Sequence, residues 1–322
     1  MQVEEDRSDA GHGWEREALQ TLLAEHQQDR RSARRWRWFK AMVWMLVLVG
    51  MIALTWKAVE DSQPSAVMSG KHTAVISIDG TIAAGSPSSA ENVIDSLQEA
   101  FEAPQAQAVV LLFNSPGGSP VHAGMVYDEI VRLKAIHQKP VYAVVEEMCA
   151  SAAYYIAAAA DEIYVDKASV VGSIGVLMNG FGFTGLMDKL GIERRLITAG
   201  ENKGFMDPFS PQTEAQRQHA DELLKSIHQQ FISAVKQGRG ARLGDVPELF
   251  SGLIWTGEKA VELGLADGLG SLRYVARELV LAEDLVDYTR QESFQERVAK
   301  QLGATVIQGL FESTQERNWV WR

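Results

Sequence analysis

At 322 residues, 46% hydrophobic and 23% charged, the chain has ordinary globular composition and enough apolar material for one large domain. Its net charge of −11 comes with no basic stripe outside the N-terminal segment, which excludes a nucleic-acid partner needing cations to displace phosphate counterions. A single cysteine, Cys149, excludes an intrachain disulfide and a cysteine-rich metal site, and no HExxH, CxxC or Walker pattern is present, so no metal and no cofactor is expected.

In chain order, the first element is the apolar run 39–56, FKAMVWMLVLVGMIALTW. At about 1.5 Å per residue its 18 residues nearly cross a hydrocarbon core of about 30 Å. Trp36, Trp38, Trp44 and Trp56 lie at or near its ends, as in an aromatic belt. Arg30, Arg31, Arg34, Arg35, Arg37 and Lys40 gather at its start, and only Lys57 and Lys71 closely follow it. The positive-inside rule therefore keeps residues 1–38 cytoplasmic and exports the chain after residue 57. Ala-Leu-Thr-Trp-Lys is a poor cleavage site, so an uncleaved signal anchor is expected, with 57–72 as a flexible tether.

From residue 73 strands and helices alternate. TAVISID (73–79), AVVLLFN (108–114), VYAVVE (141–146), EIYVD (162–166) and ERRLIT (193–198) read as strands. Between and after them, helices are expected from a capping box at Ser88-Ser-Ala-Glu91 through Phe101, and over 121–137, 151–160, 214–238, 256–264 and 271–283. The alternation predicts an α/β domain with a largely parallel sheet. GFGFTG (180–185) lacks the spacing of a phosphate-binding fingerprint and reads as a turn. In the tail 284–322, Phe294, Val298, Leu302 and Val306 form a helical stripe suited to core or subunit contact.

Four short segments sit where functional groups gather, after strands or in loops. Asn114-Ser-Pro-Gly-Gly-Ser-Pro120 reads equally as a strand-to-helix turn or as an oxyanion hole built from glycine amides. Ser151 in Met148-Cys-Ala-Ser-Ala-Ala-Tyr154 follows a strand and starts a helix, so it is either an N-cap or a nucleophile among small neighbours. Ser173 in Val171-Gly-Ser-Ile-Gly175 reads on its own as a turn residue. A serine nucleophile needs a base. His219 falls on the polar side of a helix, and His122 and His137 read as surface or packing residues. Lys167 and Lys189 read as solvated, which leaves Lys203, in a glycine-flanked loop before an apolar stretch where it can be desolvated. Desolvation matters because a free lysine titrates near about 10.4 and is a poor base near neutrality.

Taken in order, SPGG (115–118), ASAAYY (150–155), GSIGV (172–176) and ENKG (201–204) resemble the signal peptide peptidase A (SppA) family over roughly 73–283. Members of that family are Ser–Lys peptidases whose fold is similar to the Clp protease subunit and the crotonases. The resemblance implies Ser151 as nucleophile, Lys203 as base, Ser173 as the hydroxyl that holds the lysine, and Gly117 and Gly118 as oxyanion donors. Where many members have Gly-Gly after the nucleophile, this chain has Ala152-Ala153. One copy of the unit implies the short form, a homo-oligomeric ring on the exported face of the inner membrane, with signal peptide remnants and other unfolded apolar peptides as substrates. A crotonase-like acyl-CoA enzyme and an inert membrane scaffold share the fold and are the alternatives.

Overall fold

The computed structural model describes Trp36, residues 38–52 and residues 70–290. Helix α1 (38–52) is the described part of the apolar run; residues 53–56, the tether to residue 69 and the stripe from Phe294 to Val306 lie outside the described residues. Among the described residues no helix is long and apolar enough to cross a membrane.

Residues 70–290 form one α/β unit. Its elements are β1 (His72–Ile82), α2 (Ala90–Glu102), β2 (Ala106–Gly118), α3 (Pro120–His137), β3 (Val141–Ala150), α4 (Ala152–Ala157), β4 (Glu162–Val165) and β5 (Val170–Gly172). They continue as α5 (Thr184–Leu190), α6 (Glu214–Arg239), β6 (Ile254–Thr256), α7 (Gly257–Glu262), β7 (Gly268–Leu269), α8 (Leu272–Tyr274) with a π turn over Val275–Val280, and β8 (Leu285–Asp287). The sheet runs β6-β5-β3-β2-β1-β8, with β4 beside β3 and β7 beside β4. All pairs are parallel except β5–β6.

The central strands are apolar because both faces are covered. Ile76, Ile78, Val109, Leu111, Phe113, Val141 and Ala143 are all fully buried, and α2, α3 and α4 supply Leu97, Ile130 and Ile156 to the same core. On the other face Val110, Val144 and Val275 form a smaller cluster. β3 forks the sheet: Tyr142–Val145 register on β4, and Met148–Ala150 register on β5. The fork carries the end of β3 away from β4, so that the ends of β2, β3 and β5 lie side by side.

Three expectations need correction. The strand expected at 193–198 is absent; this stretch is exposed, with Leu196 at 43% and Ile197 at 95%. A strand needs a pairing edge, and the free side of β5 is taken by β6. The cap of α2 is Ser89, which accepts from the Asn92 amide, while Ser88 donates to the Asp79 carbonyl. Residues 285–287, expected in the tail, pair with β1, so the sheet unit extends past 283.

Arg239, at the end of α6, is 1% exposed and bonds Asp267 at 2.7 Å and the Gly264 carbonyl at 2.9 Å. Burial alone pushes the Asp267 carboxyl up, but the Arg239 hydrogen bond, the Ile163 amide and the charges of Arg239 and Arg242 together hold it below its usual range. Its folded pKa lies under its unfolded value of about 3.9, so this contribution is present above about pH 4 and is lost as pH falls further. Arg239→Ala leaves the carboxylate only Arg242 at 3.1 Å and the Ile163 amide at 2.7 Å; a loss of about 1.5–3 kcal/mol is expected in urea unfolding at pH 7, and a loss under about 1 kcal/mol would contradict this role for the pair.

Candidate active site

The neighbouring ends of β2, β3 and β5 deliver Gly117–Gly118, Ser151 and Ser173 respectively. Ser151 joins β3 to α4 with φ 54° and ψ −123°, a region that L side chains avoid. The strain is held by its surroundings: the Ser151 amide donates to the Gly172 carbonyl at 2.8 Å, and its carbonyl accepts from the Tyr155 amide at 3.0 Å. Its side chain makes no capping hydrogen bond to α4, so the hydroxyl is not a cap. A serine held in a strained strand-to-helix turn with its hydroxyl free is the geometry of a nucleophile elbow.

Gly117 fits because anything larger would not. At φ 97°, a Cβ there would stand 2.6 Å from the Ala150 carbonyl oxygen and 2.8 Å from Ser151 Cβ. Its own amide donates to Ser115 Oγ at 3.1 Å, and that hydroxyl donates to the Gly80 carbonyl at 2.6 Å. Buried Ser115 thus pins the glycine turn to β1 and occupies the Gly117 donor. Of the two glycines, Gly118 lines the cavity at Ser151.

That cavity measures about 920 Å³. It brings together Gly118, Ser151, Ala152 and Ser173, with Val121 and Met125 of α3 and Leu224, Ile227 and Phe231 of α6. Ser173 also has a positive φ, 52°, and its amide donates to the Leu253 carbonyl at 2.7 Å. Cys149 is fully buried, and burial pushes its thiol well up, so it does not compete as a nucleophile.

Lys203 is not brought to this cavity. It sits exposed in a turn, its amide donating to the Gly200 carbonyl at 3.1 Å, and its amine makes no hydrogen bond or ion pair among the described residues. The expected burial of the amine is not found among the described residues. Most of the arm from Leu177 to Phe209 is open, with Leu177 81%, Phe181 76% and Ile197 95% exposed. Neither do the alternatives reach Ser151: His219 is exposed against Phe205, His122 Nδ1 accepts from the Ala90 amide at the start of α2, and Lys167 and Lys189 are exposed. Sequence reasoning overlooked the Ala152 amide, the Ser115 clasp and the α6 wall. Only the last had a signal, the apolar stripe of an amphipathic helix.

A mostly parallel α/β sheet whose adjacent strand ends present a strained serine, a glycine turn and a second serine to one cavity fits a Clp-like fold. Residues 134–286 match peptidase family S49. A putative signal peptide peptidase SppA of Enterococcus faecium is 30% identical over 218 residues, 68% of this chain and 58% of that protein. Protease 4 of Haemophilus influenzae is 28% identical over 227 residues, 69% of this chain and 36% of that protein. A Na(+)/H(+) antiporter NhaA of Brucella abortus is 48% identical over 181 residues, 56% of this chain but 25% of the antiporter. The chain therefore spans between a quarter and three fifths of the length of these relatives. It belongs to peptidase family S49, the SppA family.

Proposed function

We propose that the protein is a membrane-anchored serine endopeptidase that degrades signal peptide remnants and other unfolded apolar peptides through a Ser151–Lys203 dyad. The observation that carries this reading is the strained, uncapped Ser151 opening into an apolar cavity. The Ser151 hydroxyl attacks the peptide carbonyl while Lys203 takes its proton, and the protonated amine then donates to the leaving nitrogen. Gly118 and Ala152 are the oxyanion donors; the Ala152 amide is the first of α4 and has no helical acceptor. Gly117 supports them as the small residue against which Ser151 packs.

Because Lys203 does not line the cavity of its own chain, the lysine comes from a neighbouring protomer in a head-to-tail ring. The exposed apolar arm that carries Lys203 supports this, since packing it on a second copy removes Leu177, Phe181 and Ile197 from water and desolvates the amine. Ser173 then holds the incoming amine. The run 39–56 is the anchor, with residues 1–38 cytoplasmic and the peptidase unit on the exported face of the inner membrane. Ion transport does not follow from the antiporter likeness, which covers a quarter of that protein.

The full chain in detergent is expected to cleave an unstructured leucine-rich peptide at internal bonds and to leave acyl-CoA thioesters intact. Thioester turnover without peptide cleavage would overturn the reading.

A further inference from the structure

The cavity at Ser151 continues past Tyr155. Beyond that ring lies a second depression of about 600 Å³ that shares Asp128, Tyr155 and Gln230 with the first. The two walls differ in chemistry. Near Ser151, α3 and α6 present Val121, Met125, Leu224 and Ile227; beyond Tyr155, α6 presents Ser226, Gln229, Ser233 and Gln237. Tyr155 is fixed at the junction by stacking on Tyr127, with centroids 5.4 Å apart and planes 9° apart, and by an edge contact with Phe231 at 5.0 Å.

Among the described residues lining either depression, Asp128 is the only charged one. It is exposed on α3, and no described cation forms an ion pair with it. Its field reaches the junction: burial first, and then the Asp128 charge, push the Tyr155 hydroxyl up. A lone carboxylate in a trough of neutral amides and hydroxyls attracts a cation from a ligand and repels an anion.

We propose that Asp128 is a specificity-determining residue, pairing with a Lys or Arg of the bound peptide while an apolar side chain of the same segment fills the cavity at Ser151. This rests on the peptidase reading and narrows its substrate class, from apolar peptides in general to peptides that pass from an apolar stretch to a cationic one. The neutral side chains Gln229, Gln230 and Gln237 bond the intervening backbone, and Tyr155 separates the two kinds of subsite.

The test uses the full chain in detergent and an internally quenched Leu/Ala peptide with one cleavable bond. A single Lys or Glu is walked through four positions on either side of that bond. At one or two adjacent positions, kcat/KM is expected to favour Lys over Glu by roughly tenfold, the scale of a partly exposed ion pair gained in one peptide and a repulsion met in the other. In Asp128→Asn the ratio falls to within about twofold, and in Asp128→Lys it inverts, both variants being checked for native circular dichroism. Equal rates for Lys and Glu at every position, with the uncharged parent peptide still cleaved, would overturn the role of Asp128 and leave the peptidase reading standing. A Lys preference that survives in both variants would overturn it too. Failure to cleave even the parent peptide would remove the peptidase reading and this inference together.

Discussion

Ser151→Ala is expected to lower peptide cleavage by at least about a thousandfold and leave stability unchanged, while Ser151→Gly is equally inactive but more stable by about 1 kcal/mol. The first effect follows from removing the atom that forms the acyl-enzyme. The second follows from the backbone. At φ 54° and ψ −123° a serine or an alanine is strained, and glycine is not. The hydroxyl caps nothing, so removing it costs α4 no hydrogen bond. Peptide hydrolysis and urea midpoints measure both effects. A cleavage rate in Ser151→Ala above a tenth of wild type would remove Ser151 from the chemistry. A destabilised Ser151→Gly would mean that the strain is not real.

Lys203→Ala should be as inactive as Ser151→Ala, and Lys203→Arg should not restore activity, because a guanidinium stays protonated and cannot accept the serine proton. His219→Ala should retain activity, since that ring lies exposed against Phe205. The stronger test concerns where the lysine comes from. Ser151 and Lys203 are 52 positions apart in sequence, and the cavity of one chain does not include the lysine. Co-expressed in equal amounts, Ser151→Ala and Lys203→Ala chains are each dead alone. In a randomly mixed ring, however, about one interface in four joins an intact serine to an intact lysine, so activity returns to roughly a quarter of wild type. Mixed rings that remain inactive would place both halves of the dyad within one chain.

The central strands were legible in the sequence for a physical reason. β1, β2 and β3 are buried on both faces, and such strands read as unbroken apolar runs bounded by turn residues. β5, β6, β7 and β8 are two or three residues long and carry no period at all; what makes them strands is the neighbour that each finds. The reverse holds for 193–198, whose composition suits a strand but which meets no pairing edge. In the site, a serine after a buried strand and before a run of alanines was visible, and the structure places Ser151, Ser173 and Gly118 at one cavity. The strain at Ser151 was not visible, because it is set by the Gly172 carbonyl on another strand. The occupation of the Gly117 amide by Ser115 was hidden for the same reason, since the clasp closes through Gly80 of β1. Burial of Lys203 could be guessed from its glycine-flanked loop, but burial depends on what packs over the loop, and among the described residues nothing covers the amine.

The central claim is that Ser151 is an activated nucleophile, and intact-mass analysis after reaction with a serine-directed fluorophosphonate tests it most directly. Wild-type chain in detergent is expected to gain one adduct, mapped by peptide sequencing to Ser151, and Ser151→Ala to gain none. Lys203→Ala should label at least about a hundredfold more slowly, the scale of a lost general base. An unlabelled wild type that retains native circular dichroism, or an adduct on another residue such as Ser173, would contradict the claim.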